Sequence, residues 1–220
     1  MKSKYVFTRE YNFWEEDHYK NFDSVCGYFG KDYDPCKNEK NSPSHLVFLE
    51  IGVFEARTSV FLLDSILNVQ LPNRPRGILH CIDPEITENG KTNLFLHDNY
   101  VLYNTTSFVA LTEIINKGYP KFDFIYVDGE HNACGLLEDL VLSWKLLKVG
   151  GLMLIDDYEM ESLDPWFYTS HKQFQNTPRL RFTHPRIAID AFRNIYRGQY
   201  ETIIDNYQIG LKKVLNFPQK

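Results

Sequence analysis

Two stretches of the sequence decide the fold. The first is Phe122-Asp123-Phe124-Ile125-Tyr126-Val127, which runs directly into Asp128-Gly129-Glu130-His131. The second is Gly150-Gly151-Leu152-Met153-Leu154-Ile155, which runs into Asp156-Asp157. Continuous apolar runs with β-branched and aromatic residues are typical of strands buried on both faces, as in a parallel sheet. We therefore expect a strand at each run, with acidic residues following its carboxyl end.

The segment between the two runs, residues 133–147, has the apolar spacing of a helix. In a strand–helix–strand unit with parallel strands, the acidic residues that follow the two strands lie at the same edge of the sheet. Ligands of open α/β sheets bind at this edge. Asp128, Asp156 and Asp157 would repel one another there. The sequence therefore predicts a hard divalent cation at this edge, Mg²⁺ or Mn²⁺ and, as a third option, Ca²⁺.

The rest of the chain continues this alternation. Further strands are predicted over 46–51, 78–82 and 100–103, further helices over 57–68, 108–117 and 187–196, and a hairpin around Asp205-Asn206. This order favours an α/β fold with a doubly wound, mostly parallel seven-stranded sheet and an antiparallel C-terminal hairpin. A loop over 158–185 is long enough to suggest a functional role.

The length of 220 residues predicts a single domain, with an α/β core over 45–220. Residues 1–44 form an aromatic-rich head, for which one or two short helices are expected. These aromatic residues either pack on the core or form a lid over a ligand.

Composition excludes several classes of function. A net charge of −5 argues against a broad nucleic-acid surface, although residues 172–197 carry several basic side chains. No stretch of 18 apolar residues or signal core is present, and the four cysteines lie far apart. We expect a cytoplasmic protein, with Cys81 and Cys134 as buried thiols and no membrane partner. Self-association into a homo-oligomer is left open.

The turn after the first strand, Glu50-Ile51-Gly52-Val53-Phe54-Glu55-Ala56, indicates a cofactor site. Gly52 allows a ligand to approach the backbone, but the turn lacks the further glycines of the dinucleotide-binding fingerprint. An acidic residue at Glu50 suits a cofactor with positive charge and a free amine better than a pyrophosphate. Asp83, which ends the second strand, is placed to accept hydrogen bonds from a ribose diol.

Together these motifs resemble the class I S-adenosylmethionine-dependent methyltransferases, within them the metal-dependent sugar and natural-product O-methyltransferases. The resemblance covers about residues 46–215. It rests on Glu50-Ile51-Gly52, Cys81-Ile82-Asp83-Pro84, the run from Phe122 to His131, and the run from Gly150 to Tyr158. The family often has a second glycine where this chain has Ala56.

The resemblance implies a role for each matching position. The cofactor-binding residues would be Glu50, Gly52, Phe54 and Thr58 around the methionine moiety, Asp83 at the ribose, Thr106 and Ser107 at the adenine, and Asp128. The metal ligands would be Asp128, Asp156 and Asp157. The family implies a sugar or glycan hydroxyl, or another small molecule, as the methyl acceptor.

The catalytic base is predicted to be His131 or Glu130. Relatives of this type use the residue two or three positions after the strand-four aspartate, which leaves both residues open. His131 is favoured because a histidine titrates near neutral pH, whereas a cation would lower the pKa of Glu130. Two other functions compete with this interpretation: methylation of a catechol-like phenol, and a cofactor-binding module without catalysis.

Overall fold

Most of the chain is built around a seven-stranded sheet. A computed structural model of the protein describes residues 4–8, 16–37, 42–71, 74–119, 121–160 and 184–216. The strands are Val47–Ile51 (β1), Ile78–Ile82 (β2), Tyr100–Tyr103 (β3), Phe122–Val127 (β4), Leu147–Ile155 (β5), Tyr200–Asp205 (β6) and Ile209–Lys213 (β7). The helices are Glu16–Tyr28 (α1), Arg57–Leu62 (α2), Glu88–Leu94 (α3), Ser107–Lys117 (α4), Ala133–Leu146 (α5) and Pro185–Ile195 (α6).

The strand order is β3-β2-β1-β4-β5-β7-β6. The first five strands of this order are parallel, whereas β7 is antiparallel to both β5 and β6. The predicted fold class is therefore confirmed. Most of the predicted loop over 158–185 lies outside the described residues.

Buried side chains pack on both faces of the sheet because successive residues of a strand point to opposite faces. On β1, Val47, Leu49 and Ile51 belong to the cluster that contains residues of α4, α5 and α6. Phe48 belongs to the other cluster, with residues of α1 and α2. Both faces are thus apolar, which explains the continuous apolar runs of the central strands.

The described part of the head packs on the core. Phe22 and Val25 of α1 and Phe29, which follows α1, have at most 1% of their surface exposed, and the Phe29 ring contacts Phe48 and Phe124. Packing on the core is thus the correct interpretation for these three side chains. Residues 1–3 and 9–15 of the head lie outside the described residues.

Three local features differ from the prediction. Helix α3 was not predicted, because its sequence has no apolar period; Thr87 caps it by accepting a hydrogen bond from the Gly90 amide. The helix that begins at Arg57 continues as a π-helix over Leu63–Leu67. Cys134 is exposed, so the prediction of a buried thiol is wrong there, although Cys81 is buried. Among the described helices, none is both long and apolar enough to cross a membrane.

Candidate active site

The strand register places the residues that follow four neighbouring strands in one row. Ile51 of β1 pairs with Ile82 of β2 and with Val127 of β4, and Val127 in turn pairs with Ile155 of β5. The next residues along these strands are Asp83, Gly52, Asp128 and Asp156, in spatial order across the sheet. The edge predicted to hold the ligands is therefore formed by neighbouring strand ends.

A cleft of about 250 Å³ lies beside this row on the side of β1 and β2. Several predicted cofactor residues line it, together with α5. The lining residues are Ile51, Gly52, Ile82, Asp83, Pro84, Thr106, Ser107, Gly129, Glu130 and Asp139. A larger cleft of about 630 Å³ lies at the opposite edge of the sheet, next to Lys148 and Gly150, and contains none of the predicted site residues.

Gly52 is required by two features of the turn after β1. Its φ is 87°, and a Cβ at this position would lie 1.9 Å from the backbone oxygen of Asp128. A side chain here would therefore push apart the ends of β1 and β4. Ala56, where the family often has glycine, also has a left-handed conformation, with φ 61°. Glycine adopts this conformation without strain, whereas Ala56 does so at some energetic cost.

The Asp83 carboxylate accepts three hydrogen bonds from backbone amides. Oδ2 accepts from Val53 at 2.8 Å and from Phe54 at 2.7 Å, and Oδ1 accepts from Glu85 at 2.7 Å. Asp83 thus holds the β1 turn in place, a role that the sequence did not predict. It also lines the cleft, and its predicted role at the ribose stays a prediction.

Glu50 is buried, and its Oε2 accepts a hydrogen bond of 2.5 Å from the Ser59 hydroxyl on α2. Burial raises the pKa of Glu50 to about 8, although the Ser59 hydrogen bond opposes this shift. Thr58 is buried next to Ser59, whereas Phe54 is 41% exposed at the rim of the turn. The proximity of Glu50, Phe54 and Thr58 to a methionine moiety stays a prediction.

The described residues bring Asp128, His131 and Asp157 together. Each offers one ligand atom, and these atoms all lie within 4.8 Å of one another. His131 Nε2 lies 3.0 Å from Asp157 Oδ2 and 4.0 Å from Asp128 Oδ1. Burial and the neighbouring charges of Asp156 and Asp157 raise the pKa of Asp128 well above its usual value. Burial acts to lower the pKa of His131, but the adjacent Asp157 carboxylate outweighs it, and the pKa is raised.

Asp156 differs from the other two predicted metal ligands because donors of the chain surround it. The Tyr126 hydroxyl donates to Oδ2 at 2.5 Å, and the Gln208 amide donates to Oδ1 at 3.1 Å. His18 Nε2 of α1 lies 3.4 Å from Oδ1. Burial acts to raise the pKa of Asp156, but His18 and the Tyr126 hydroxyl outweigh it, and the pKa is lowered. The compact group thus contains His131 where the prediction had Asp156; a ligand role for Asp156 stays a prediction.

Residues from both ends of the chain hold the loop that follows β5. The Tyr207 hydroxyl, between β6 and β7, donates to Asp157 Oδ1 at 2.7 Å, and the Tyr207 carbonyl accepts from the Tyr158 amide. Asn21 of α1 donates to Asn206 and Gln208 of the same turn at 2.9 Å. Sequence reasoning missed these contacts, because no local pattern connects α1 and the β6–β7 turn with the end of β5.

Asp139 was also missed, although the sequence carried a signal. It is buried on the same face of α5 as Leu136 and Leu140. A charged residue at a core-facing position of an amphipathic helix is unusual and indicates a specific role. Glu130, one of the two predicted bases, is exposed, lines the cofactor cleft and accepts a hydrogen bond from the Asn132 amide at 3.1 Å.

Solved structures with this fold include several methyltransferases. The MycE methyltransferase of the mycinamycin biosynthetic pathway, in complex with Mg, SAH and mycinamycin VI, is similar at 16% identity and a TM-score of 0.56. The match covers 94% of this chain and 52% of that one, so the chain spans about half the length of MycE. No curated protein matches the chain significantly.

Two shorter enzymes are also similar. An O-methyltransferase from Bacillus cereus, in complex with SAH, has 16% identity and a TM-score of 0.53, over 76% of this chain and 74% of that one. The O-methyltransferase TomG from Streptomyces achromogenes, involved in tomaymycin synthesis and in complex with SAM, has 16% identity and a TM-score of 0.54. That match covers 76% of this chain and 73% of that one. At these identities the likeness establishes the fold.

A match of the sequence to a known family identifies the family of this chain. The pattern of the family described as "Methyltransferase domain" matches residues 49–158, from β1 to the residue after Asp157. This match covers half of the chain and includes the cleft, the row of acidic tips and the group of Asp128, His131 and Asp157. The protein therefore belongs to this methyltransferase family.

Proposed function

We propose that the protein is a single-domain, cytoplasmic O-methyltransferase that transfers a methyl group from S-adenosylmethionine to a hydroxyl of a sugar or glycan, assisted by a divalent metal. One observation carries this proposal: Asp128, His131 and Asp157 meet beside the cofactor cleft, with ligand atoms within 4.8 Å of one another. This arrangement supports a cation site next to a methyl-donor site.

The cofactor side rests on the cleft lined by Gly52, Asp83, Thr106 and Ser107. We infer that the ribose lies near Asp83, the adenine near Thr106 and Ser107, and the methionine moiety near Glu50. Similar structures support S-adenosylmethionine, since MycE and the Bacillus cereus enzyme hold SAH and TomG holds SAM.

The residues fit a divalent cation. The carboxylates of Asp128 and Asp157 suit Mg²⁺ or Mn²⁺ better than a soft metal. Burial raises the pKa of Asp128, and the neighbouring charges of Asp156 and Asp157, which a cation would offset, raise it further. When bound, the cation would polarise the acceptor hydroxyl and orient it toward the methyl donor. The Mg present in the MycE complexes supports this choice.

The reaction forms a carbon–oxygen bond and breaks the carbon–sulfur bond of the sulfonium. Its products are the methylated acceptor and S-adenosylhomocysteine, and the hydroxyl proton passes to a base. The chain contributes placement, because holding donor and acceptor in line removes much of the entropic barrier. It also contributes the base, for which we propose His131, with Glu130 as the alternative.

His131 offers two roles that exclude each other at the same atom. If Nε2 binds the cation, this nitrogen cannot take the acceptor proton, and Glu130 becomes the base. The variants His131→Gln and Glu130→Gln separate these roles by turnover and by Mn²⁺ affinity. If the replaced residue is the base, the variant should lose turnover and keep its Mn²⁺ affinity. If the replaced residue is a metal ligand, the variant should lose both.

The test of the function is methyl transfer from labelled S-adenosylmethionine to a panel of sugars, glycosylated natural products, catechols and RNA, with and without EDTA. We expect a hydroxyl compound to be methylated only with Mg²⁺ or Mn²⁺ present. Turnover limited to catechols would favour the phenol alternative. Cofactor binding without transfer to any class would favour the non-catalytic module, and full turnover in EDTA would contradict the metal.

A further inference from the structure

Residues 4–8 of the head, which we call the N-terminal strap, lie against α2, α3 and the turn after β1. Near its start, the Tyr5 hydroxyl donates to Asp64 Oδ2 at 2.6 Å. In its middle, the buried Asn93 side chain of α3 accepts from the Val6 amide and donates to the Val6 carbonyl, each at 2.8 Å. Hydrogen bonds to side chains of the core therefore fix the path of the strap.

The end of the strap binds the carboxylate of Glu55, in the turn after β1. The Thr8 amide donates to Oε2 at 2.9 Å, and the Thr8 hydroxyl donates to Oε1 at 2.6 Å. Glu55 is buried, and Asn89 of α3 also donates to Oε1, at 2.9 Å. Burial acts to raise the pKa of Glu55, but the hydrogen bonds from Thr8 and Asn89 outweigh it, and the pKa is lowered. Glu55 is thus ionised at neutral pH, which strengthens its hydrogen bonds to Thr8.

The turn that Thr8 contacts contains two residues in a backbone conformation that side chains disfavour. Phe54 has φ 50° and Ala56 has φ 61°, on either side of Glu55. Left-handed residues of this kind cost free energy, and they persist where the surrounding structure holds them. Asp83 holds the Phe54 amide, and Asn93 donates to the Glu55 carbonyl at 2.9 Å. The strap adds its own hold on the Glu55 carboxylate, so the strained turn is supported by a segment remote from it in sequence.

We propose that Thr8 is a positioning residue for the cofactor, which acts through Glu55 and holds the turn after β1 in the conformation that lines the cofactor cleft. This inference rests on the proposed function, because it takes S-adenosylmethionine as the ligand of the cleft. Gly52, at the start of the turn, is part of the cleft wall. If the turn relaxed in the free protein, binding would have to restore its conformation, and the apparent affinity would fall.

The test compares variants that remove or keep a single hydroxyl group. Thr8→Val removes the donor to Glu55 and keeps the shape of the side chain, whereas Thr8→Ser keeps the donor. Thr92→Val is the matched control, since Thr92 is exposed on α3, donates to the Glu88 carbonyl and does not line the cleft. Calorimetry should find S-adenosylhomocysteine binding about fivefold weaker in Thr8→Val, the size of one net hydrogen bond. The other two variants should bind within about twofold of the unmodified protein.

A double variant tests whether Thr8 acts through Glu55. Glu55→Gln removes the charge that strengthens the hydrogen bonds from Thr8, so it should also weaken S-adenosylhomocysteine binding. Adding Thr8→Val to Glu55→Gln should then change the affinity by no more than about twofold, because the two residues share one contact. Fully additive losses would show that Thr8 acts by another route and would overturn the inference.

Amide hydrogen exchange of the ligand-free protein separates positioning from general stability. The amides of Phe54 and Ala56 donate to Asp83 and to the Val53 carbonyl. Both should exchange about fivefold faster in Thr8→Val, whereas the amides of β4 should keep their rates. A residue that only stabilises the whole fold would speed exchange in β4 and in the turn alike, and that result would contradict the inference.

The outcomes separate this inference from the proposed function. Unchanged S-adenosylhomocysteine affinity in Thr8→Val, or unchanged exchange at the turn, would overturn the role of Thr8 and leave the proposed cofactor in place. An equal loss of affinity in Thr8→Ser would also overturn it, because the hydroxyl would not be the cause. If the unmodified protein bound no S-adenosylhomocysteine, the proposed cofactor would fall, and the role of Thr8 with it.

Discussion

The two halves of the active-site edge satisfy their carboxylates in different ways. At the end of β2, Asp83 accepts three hydrogen bonds from backbone amides of its own loop and of the β1 turn. At the ends of β4 and β5, Asp128 and Asp157 face each other across His131, and the pKa of Asp128 is raised. We call the part around Asp83, which we propose binds the cofactor, the cofactor half, and the part around Asp128 and Asp157, which we propose binds the metal, the metal half. Backbone amides stabilise the Asp83 carboxylate of the cofactor half, whereas burial and neighbouring carboxylates disfavour the ionised form of Asp128 in the metal half.

This difference indicates that the two halves of the site bind their ligands independently. The cofactor half should keep its shape without any ion, whereas the shape of the metal half should depend on a bound cation. Variants in one half should therefore affect one ligand, and a variant at the junction of β1 and β4 should affect both.

The largest effect is expected from removing a metal-site carboxylate. Asp157→Ala should lower turnover at least 100-fold and leave S-adenosylmethionine affinity within about twofold, because the proposed cofactor contacts lie on the other half. EDTA should have the same effect, and Mg²⁺ or Mn²⁺ should reverse it. Asp205→Ala, at an exposed carboxylate paired with Arg193, is the control. Normal turnover of Asp157→Ala would refute the division.

A variant at the junction should damage both halves. Gly52→Ala places a Cβ 1.9 Å from the Asp128 backbone oxygen and forces alanine to adopt φ 87°. We expect it to lower the free energy of unfolding by about 3 kcal/mol and to weaken both cofactor and Mn²⁺ binding. Gly118→Ala is the control that separates backbone strain from steric overlap. Gly118 also has a positive φ, 63°, but a Cβ added there would have no neighbour within 4 Å. It should cost only about 1 kcal/mol in thermal unfolding and leave both affinities unchanged.

A smaller effect is expected in the cofactor half. Asp83→Ala should weaken S-adenosylmethionine binding at least tenfold, because it removes the proposed ribose acceptor and frees the amides of Val53 and Phe54. Calorimetry should find Mn²⁺ affinity unchanged in this variant. A loss of Mn²⁺ affinity equal to the loss of cofactor affinity would contradict the independence of the two halves.

The smallest effect tests how the metal half is oriented. Tyr207→Phe removes the hydroxyl that donates to Asp157 Oδ1 but keeps the ring beside His18. Mn²⁺ affinity should fall about tenfold, as is typical when a partner of a metal ligand is lost. Tyr200→Phe is the matched control, because that hydroxyl lies in the same hairpin and donates to the Arg193 carbonyl. Equal Mn²⁺ binding by both variants would argue against this role of Tyr207.

Much of the framework could be predicted from the sequence. The bounds of β2, β3 and β4 coincide with the predicted ones. β2 and β4 are buried, as short apolar runs ended by Asp predict, whereas β3 lies at the edge of the sheet and is only partly buried. The row formed by Asp83, Gly52, Asp128 and Asp156 followed from parallel order alone. These are properties of the local pattern together with the topology.

The partners of each side chain could not be predicted in this way. Asp156 and Asp157 are adjacent in sequence, but Asp157 has φ 63° and its side chain points to His131, whereas Asp156 points to Tyr126 and Gln208. This choice depends on α1 and on the β6–β7 turn, which are remote in sequence. Short polar helices such as α3 are missed for a related reason: their stability comes from capping and tertiary contacts.

The contact between α1 and the β6–β7 turn has a consequence for synthesis of the protein. Asn21 and Asn206 are 185 residues apart, and Gln208, which holds Asp156, follows Asn206. At about 5–20 residues per second, the ribosome adds the second partner roughly 10–40 s after the first. The residues that line the proposed cofactor cleft, from Ile51 to Asp139, emerge well before the turn that completes the metal half. A nascent chain should therefore gain affinity for the methyl donor before it can bind a cation in the geometry of the finished protein.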